Sequence, residues 1–290
     1  MSEPCPRTSY ADNAWQGTCR VEENVRVARD TYRLRLACPE IAQRILPGQF
    51  LMLRLTAGND PLLGRPLALY DVYSHCDSSP DAVQVVYLVV GKMTTLLAEI
   101  KPGATIDAWG PLGNGFEARP TEHLVMVAGG IGQTPFPAVA RECLGLHCYG
   151  EPRRQVPRAK KVTLCYGVRS SEYLAGVDDF ERLGVEVHVS TDDGSAGHHG
   201  LVTDVARSVI ERSDAACRMV CCGPEPMLAA TAELARELNV PCEVSLERAM
   251  ACGIGACFSC VAKVRDPSGN WTYRRTCIEG PVFDAAGVEF

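Results

Sequence analysis

Three of the chain's fifteen cysteines, Cys252, Cys257 and Cys260, fall within nine residues, and a fourth, Cys277, follows after sixteen more. A stretch this rich in thiols and glycines has too few large apolar side chains to build a core of its own. It must be organised by a bound centre, by disulfides or by packing on another domain. Disulfides are the poorest of these. The cysteine count is odd, and residues 1–20 hold Pro4, Pro6, Asp12 and Asn13 with no apolar export segment. That start points to the cytoplasm, where thiols stay reduced. The remaining cysteines are scattered (Cys5, Cys38, Cys76, Cys148) or sit in apolar strand-like runs (Cys165, Cys221), where Cys acts as a small hydrophobe.

The spacing Cys252-x4-Cys257-x2-Cys260…Cys277 matches the C-x4-C-x2-C…C arrangement that wraps a [2Fe–2S] cluster. Two bridged irons need four terminal thiolates. One loop supplies three of them only if its backbone curls tightly, and Gly253 and Gly255 permit the positive φ angles required. The alternative is structural zinc, but zinc knuckles come as paired C-x2-C motifs, and only one is present.

The rest of the chain divides by pattern. Residues 1–17 read as a loose Pro/Ser/Asn-rich tail. Residues 18–118 read as short strands, among them 33–36, 50–55 and 83–90, punctuated by Pro47-Gly48 and Pro102-Gly103. Such a run implies a small antiparallel β-barrel, with a β-sandwich as the alternative. Residues 119–242 alternate strands (124–128, 162–166, 185–190, 218–222) with helices (135–144, 202–211, 225–238), the pattern of a doubly wound parallel sheet. Residues 145–161 are polar and basic and read as a surface loop. Residues 243–290 form the cysteine module. Lys+Arg at 29 against Asp+Glu at 35 argues against a nucleic-acid binder, and no apolar run approaches the roughly 18 residues of a membrane span.

Two glycine turns close strands of the expected sheet. Gly129-Gly130-Ile131-Gly132 precedes a helix and presents backbone N–H groups suited to phosphate, although it is not G-x-G-x-x-G. Cys222-Gly223-Pro224 lies at another strand end, so both face the carboxyl-end crevice where ligands bind. Each alone is also what tight packing requires. In the barrel region, Arg65 stands between a turn and a strand. It is either a diphosphate ligand or an ordinary surface arginine. Gly91-Lys92-Met93-Thr94 is a second candidate anion-binding helix start, and 110–116 reads as a rigid turn.

Taken in order, R-P-x-x, G-G-I-G-x-x-P, C-G-P-x-P-M and C-x4-C-x2-C resemble the ferredoxin–NADP reductase superfamily. More narrowly, residues 110–116, 193–204, 250–257 and 277–283 resemble the electron-transfer subunits of type B dihydroorotate dehydrogenase. The resemblance implies FAD in the barrel, NAD(H) on the sheet and [2Fe–2S] at the end. It places Arg65, Pro66, Leu67 and Ala68 in one flavin-binding segment, and Tyr87, Leu88, Val89, Met93 and Thr94 in two more. Gly129, Gly130, Gly132, Cys222, Gly223 and Pro224 then flank the nicotinamide, and Cys252, Cys257, Cys260 and Cys277 hold the cluster. Three positions depart from the pattern: Ala68 replaces a serine, Leu88 an arginine and Met93 a glycine. Lys92 is a candidate replacement for the lost cation, and Arg169 is either a 2′-phosphate contact or an ordinary exposed arginine.

The implied partner is an FMN-bearing dihydroorotate dehydrogenase catalytic subunit, in a heterotetramer of two of each, serving pyrimidine biosynthesis. Hydride chemistry moves two electrons and an iron–sulfur cluster one, so a flavin is needed between them. No catalytic acid or base is expected on this chain. Phe258, Val282 and Phe283 are expected to cover a docking face or to shield the cluster. A γ-type hydrogenase subunit or a free-standing ferredoxin reductase carries the same motifs. A redox-sensing regulator is disfavoured, since it needs no nicotinamide site.

Overall fold

The computed structural model describes residues 13–56, 58–75, 79–266 and 268–290. Cys5, Cys76 and residues 1–12 of the expected tail lie outside them.

Six strands close an antiparallel barrel: β1 (Trp15–Ala28), β2 (Thr31–Ala37), β3 (Phe50–Leu55), β4 (Arg65–Tyr73), β5 (Ala82–Leu88) and β6 (Thr105–Leu112), in the order β1-β2-β5-β4-β3-β6. A single helical turn, α1 (Pro39–Ala42), and the helix α2 (Lys92–Glu99) lie between strands. Alternate residues such as Leu34, Leu36, Leu51, Leu53, Val83, Val85 and Ile106 fill the interior. Trp15–Gly17, expected in the tail, open β1 instead and pair with β6. That strand escapes a hydrophobic reading because Glu22 and Glu23 on its outer side pair with Arg35 and Arg33 of β2. β5 stops at Leu88 rather than at Val90, because the Val89 N–H turns to Asp30 and the Val90 N–H to Thr94. β6 likewise runs through Leu112, so the turn is confined to Gly113–Gly115.

A seven-stranded sheet follows, in the order β10-β9-β8-β7-β11-β12-β15. Its parallel strands are β7 (His123–Gly129), β8 (Lys161–Val168), β9 (Glu186–Thr191), β10 (His198–His199), β11 (Cys217–Cys222) and β12 (Cys242–Ser245). Helices α3 (Phe136–Cys143), α4 (Val177–Arg182), α5 (Val202–Glu211) and α6 (Glu225–Glu237) cover it. β7 is buried on both faces, as its unbroken run Leu-Val-Met-Val-Ala requires. Beyond β12 come a hairpin of β13 (Val261–Arg265) and β14 (Trp271–Arg275), then β15 (Val282–Asp284).

Three sequence expectations are corrected here. β12 straddles the expected boundary at 242/243, and β15 returns from the cysteine module to pair antiparallel with β12, so the module shares the nucleotide domain's sheet. Val282 is buried and Phe283 packs on the core around Val244, so neither covers a docking face. Residues 145–161 are more than a surface loop. Tyr149 is buried in the barrel core and donates to Asp71 Oδ1 at 2.7 Å. Arg154 bridges Glu142 and the Phe116 carbonyl. A tyrosine suits this place because its ring is apolar and its hydroxyl finds a partner.

Candidate cofactor sites

The cysteine loop lies against the outer face of the barrel. β3 reads Phe-Leu-Met-Leu without alternation because both its faces are covered. Leu51 and Leu53 point inward, while Phe50 and Met52 pack with Leu112, Cys260 and Cys277. Gly253 and Gly255 have φ of +74° and +81°. A Cβ on Gly253 would stand 2.6 Å from Met52, and one on Gly255 2.7 Å from Ile278. Glycine is thus demanded twice at each, by conformation and by space. Trp109 Nε1 donates to the Cys252 carbonyl at 3.0 Å, and Arg275 donates to the Gly255 carbonyl at 3.1 Å.

Cys252 lies within hydrogen-bond reach of Cys257 and Cys260 within reach of Cys277, and Cys277 also feels Cys252. Among the described residues no group of three or more His, Cys, Asp or Glu converges on one metal position. Two pairs fit two irons with two thiolates each. Cys260 and Cys277 are buried and Cys257 is exposed. Hydrogen bonds from the Ser259 side chain and backbone, then from Cys252, hold the Cys257 thiol down at about 6. Burial, then Cys260, pushes the Cys277 thiol up to about 12. Phe258 lies between Cys257 and Cys260 with φ +57°, is 61% exposed, and stacks under the Arg275 guanidinium at 4.8 Å.

The flavin segments gather at one end of the barrel. Arg65 is exposed and donates only to the carbonyls of Leu63 and Gly64, at 3.0 and 3.1 Å. Among the described residues it has no carboxylate partner, which leaves its charge available to a diphosphate. Pro66, Leu67 and Ala68 on β4 and Leu88 and Val89 at the end of β5 are half-buried, with Leu67 and Val89 packed against the barrel core. The Tyr87 side chain is buried, stacked on Tyr32 and bonded to Asn24. Met93 is also buried, in the barrel core. Thr94 Oγ1 accepts the N–H groups of Val90 and Gly91 at 3.0 and 3.2 Å, capping α2. Their side chains therefore build the barrel, and only their backbone is available to a ligand. Lys92 is ion-paired to Asp60, both largely exposed, a pair weak enough for a phosphate to displace.

The two glycine turns interlock at the sheet's carboxyl end. A Cβ on Gly132 would lie 2.2 Å from the Cys222 carbonyl oxygen, and one on Gly129 2.5 Å from Met227 Sδ. Those two glycines serve packing. Gly130 differs: its φ is +55° and nothing lies within 4 Å of where a Cβ would stand, so its backbone borders open space. Gly223 packs its Cα face on Met227 and Gly129. Arg169 is exposed at the end of β8.

Sequence reasoning missed Trp109 and Met52, which seat the cysteine loop. The unbroken apolar run of β3 was the available signal for Met52. Among the described residues no helix is long and apolar enough to cross a membrane.

Comparison with known proteins agrees with these three regions. A family model for the FAD-binding domain of oxidoreductases matches residues 18–116, and one for the oxidoreductase NAD-binding domain matches 126–233. The model for the iron–sulfur cluster binding domain of dihydroorotate dehydrogenase B matches 247–289. The dihydroorotate dehydrogenase B (NAD(+)) electron transfer subunit of Geobacillus kaustophilus is 39% identical over 265 residues, covering 90% of this chain and 94% of that protein. The Fusobacterium nucleatum subunit of the same name is 34% identical, over 93% of this chain and 97% of its own. Among solved structures, an NADH-dependent reduced ferredoxin–NADP oxidoreductase superposes with a TM-score of 0.75 at 30% identity, covering 93% of this chain and 89% of that one. Phthalate dioxygenase reductase, at 18% identity and a TM-score of 0.58 over 90% of this chain and 77% of its own, shows the shared fold. FAD-binding, NAD-binding and iron–sulfur domains in this order, with that identity along nearly the whole length, make the chain a member of the dihydroorotate dehydrogenase B electron transfer subunit family.

Proposed function

We propose that this chain passes electrons between NAD(H) and an FMN-bearing dihydroorotate dehydrogenase catalytic subunit, as two copies of each, in the cytoplasm. Cys252, Cys257, Cys260 and Cys277 hold a [2Fe–2S] cluster. Arg65 to Ala68, with backbone of 87–89 and 93–94, hold FAD. Gly129 to Gly132 and Cys222 to Pro224 border the nicotinamide. The flavin supplies the exchange between hydride and single electrons. The chain's own part is to fix the distance between centres, to exclude water and to offer a docking face.

The observation that carries this reading is the seating of the cysteine loop. Cys252 is bonded to Trp109 of the barrel, and a Cβ on Gly64, next to Arg65, would meet that same indole at 2.7 Å. One tryptophan thus spans from the cluster loop to the flavin segment. The opposite side of the loop is apolar and open, with Ile254 49% and Phe258 61% exposed beside Cys257. A one-electron centre needs such a surface to reach a partner. Free thiols throughout the described residues support a reducing compartment.

Isolated, the chain should reduce dyes with NADH and leave dihydroorotate untouched. Adding the catalytic subunit should couple dihydroorotate oxidation to NAD+ reduction. Phe258→Asp should uncouple the two while NADH-to-dye activity persists. Dihydroorotate turnover by this chain alone would overturn the reading. Loss of both activities in Phe258→Asp would make Phe258 a shield of the cluster rather than a docking residue.

A further inference from the structure

We infer that Glu247 sets the preference of the nucleotide site for oxidised over reduced nicotinamide. The inference rests on the placement of the nicotinamide beside Cys222 proposed above.

Strand register defines where Glu247 lies. β11 and β12 run parallel with Cys222 opposite Ser245. Pairing continues one residue further, because the Leu246 N–H donates to the Pro281 carbonyl at 2.9 Å. Along this extended segment Val244 and Leu246 point into the core with Cys221. Successive side chains alternate, so Ser245 and Glu247 share the opposite face with Cys222. Glu247 therefore stands just past the carboxyl end of the sheet, on the side of Cys222-Gly223-Pro224. It lies close enough that its charge adds to burial in pushing the Cys222 thiol up.

The carboxylate is also uncommitted. It is exposed, and among the described residues no hydrogen bond or ion pair holds it. Its neighbour Arg248 is paired with Glu225 at the start of α6, and the same guanidinium nitrogen donates to the Glu247 backbone carbonyl at 3.2 Å, not to its carboxylate. A carboxylate without a partner of its own at a ligand crevice, its adjacent arginine already paired with Glu225, presents negative charge there.

Removal of hydride leaves the nicotinamide ring with a positive charge, and its return makes the ring neutral. A fixed negative charge beside the ring therefore favours the oxidised form alone. The consequence is preferential loading of NAD+ and ready release of NADH, which suits a chain delivering electrons to NAD+. Glu247 is in this sense a selectivity residue and takes no proton.

The test uses the oxidised protein with FAD and cluster in place. It is titrated calorimetrically with NAD+ and with 1,4,5,6-tetrahydro-NAD, whose ring is neutral and gives no hydride. Glu247→Gln should raise the Kd for NAD+ roughly fivefold, the size of one ion pair near water, and leave tetrahydro-NAD unchanged. Glu247→Lys should raise the Kd for NAD+ further still and again leave tetrahydro-NAD unchanged. An unchanged ratio of the two constants, or equal weakening of both, overturns the inference. Hydrogen exchange on the wild-type protein separates this from failure of the site itself. Protection by NAD+ at 129–133 and 222–227 upholds the site, so that an unchanged ratio then counts against Glu247 alone. Protection elsewhere removes both.

Discussion

The indole N–H of Trp109 donates to the carbonyl of Cys252 at 3.0 Å, a bond between residues 143 positions apart that ties strand β6 of the barrel to the first cysteine of the cluster loop. The carbonyl it engages belongs to a loop with few bonds of its own.

Trp109→Phe removes that bond while keeping most of the ring packing. The loss should cost about 1 kcal/mol at the loop. Visible absorbance of the cluster should bleach several-fold faster under a chelator, with FAD content unchanged. Equal bleaching rates in variant and wild type would show that the Met52–Gly253 contact alone seats the loop.

The paired thiols make a second prediction. Replacing Cys252, Cys257, Cys260 or Cys277 by Ala should remove iron or leave a labile centre, because each iron loses one of two protein thiolates. Replacing Cys148 or Cys221 should leave iron content at wild-type level. Iron and acid-labile sulfide are to be measured together. Two irons retained in Cys257→Ala would sink the assignment, and zinc without sulfide in the wild type would replace the cluster altogether.

How legible all this was depends on the range of the interaction. The cysteine spacing and glycines of the loop are local, and the structure puts positive φ at both predicted glycines. The barrel and sheet follow from short-range alternation, apart from β1, whose charged outer residues pair with β2 and hide its period. Long-range pairing is what sequence did not show. Val282 and Phe283 read as surface apolar residues beside a ligand, yet β15 inserts them beside β12, some forty residues away in sequence. Tyr87 reads as a flavin contact, yet strand alternation turns its ring inward to Asn24. The consequence is testable in stability: Val282→Ala should cost about 2 kcal/mol in urea unfolding, as a buried core residue does. A surface residue would cost almost nothing.

His123 gives the fold a pH dependence with a definite sign. It is buried in β7, with its ring nitrogens 2.8 Å from Thr163 Oγ1 and Ser213 Oγ. Burial holds its pKa below the ordinary 6.5. The unfolded chain therefore takes up a proton at this position before the folded one does, and stability falls as pH drops below 6.5. His147 is lowered for the same first reason and adds a slope of the same sign. Tm should decline between pH 7 and 5.5, and less steeply in His123→Gln. Parallel Tm profiles for the two proteins would remove His123 as the source.

Arg65 is the side chain expected to matter most for flavin retention, since among the described residues it has no carboxylate partner and stands at the start of β4. Arg65→Ala should weaken FAD binding tenfold to roughly a hundredfold, the worth of a charge-assisted bond to phosphate. The measurement is FAD released on gel filtration, read by fluorescence. Leu88→Arg supplies the cation that the resemblance to the family calls for at the end of β5, where Leu88 is half-buried. It should raise retention in the wild type and restore part of it in Arg65→Ala. If Leu88→Arg changes neither, Lys92 released from Asp60 already fills that place, and Lys92→Ala should then lower retention as much as Arg65→Ala does. Recovery of FMN in place of FAD from the purified protein would contradict the diphosphate role of Arg65, because a mononucleotide has no second phosphate to hold.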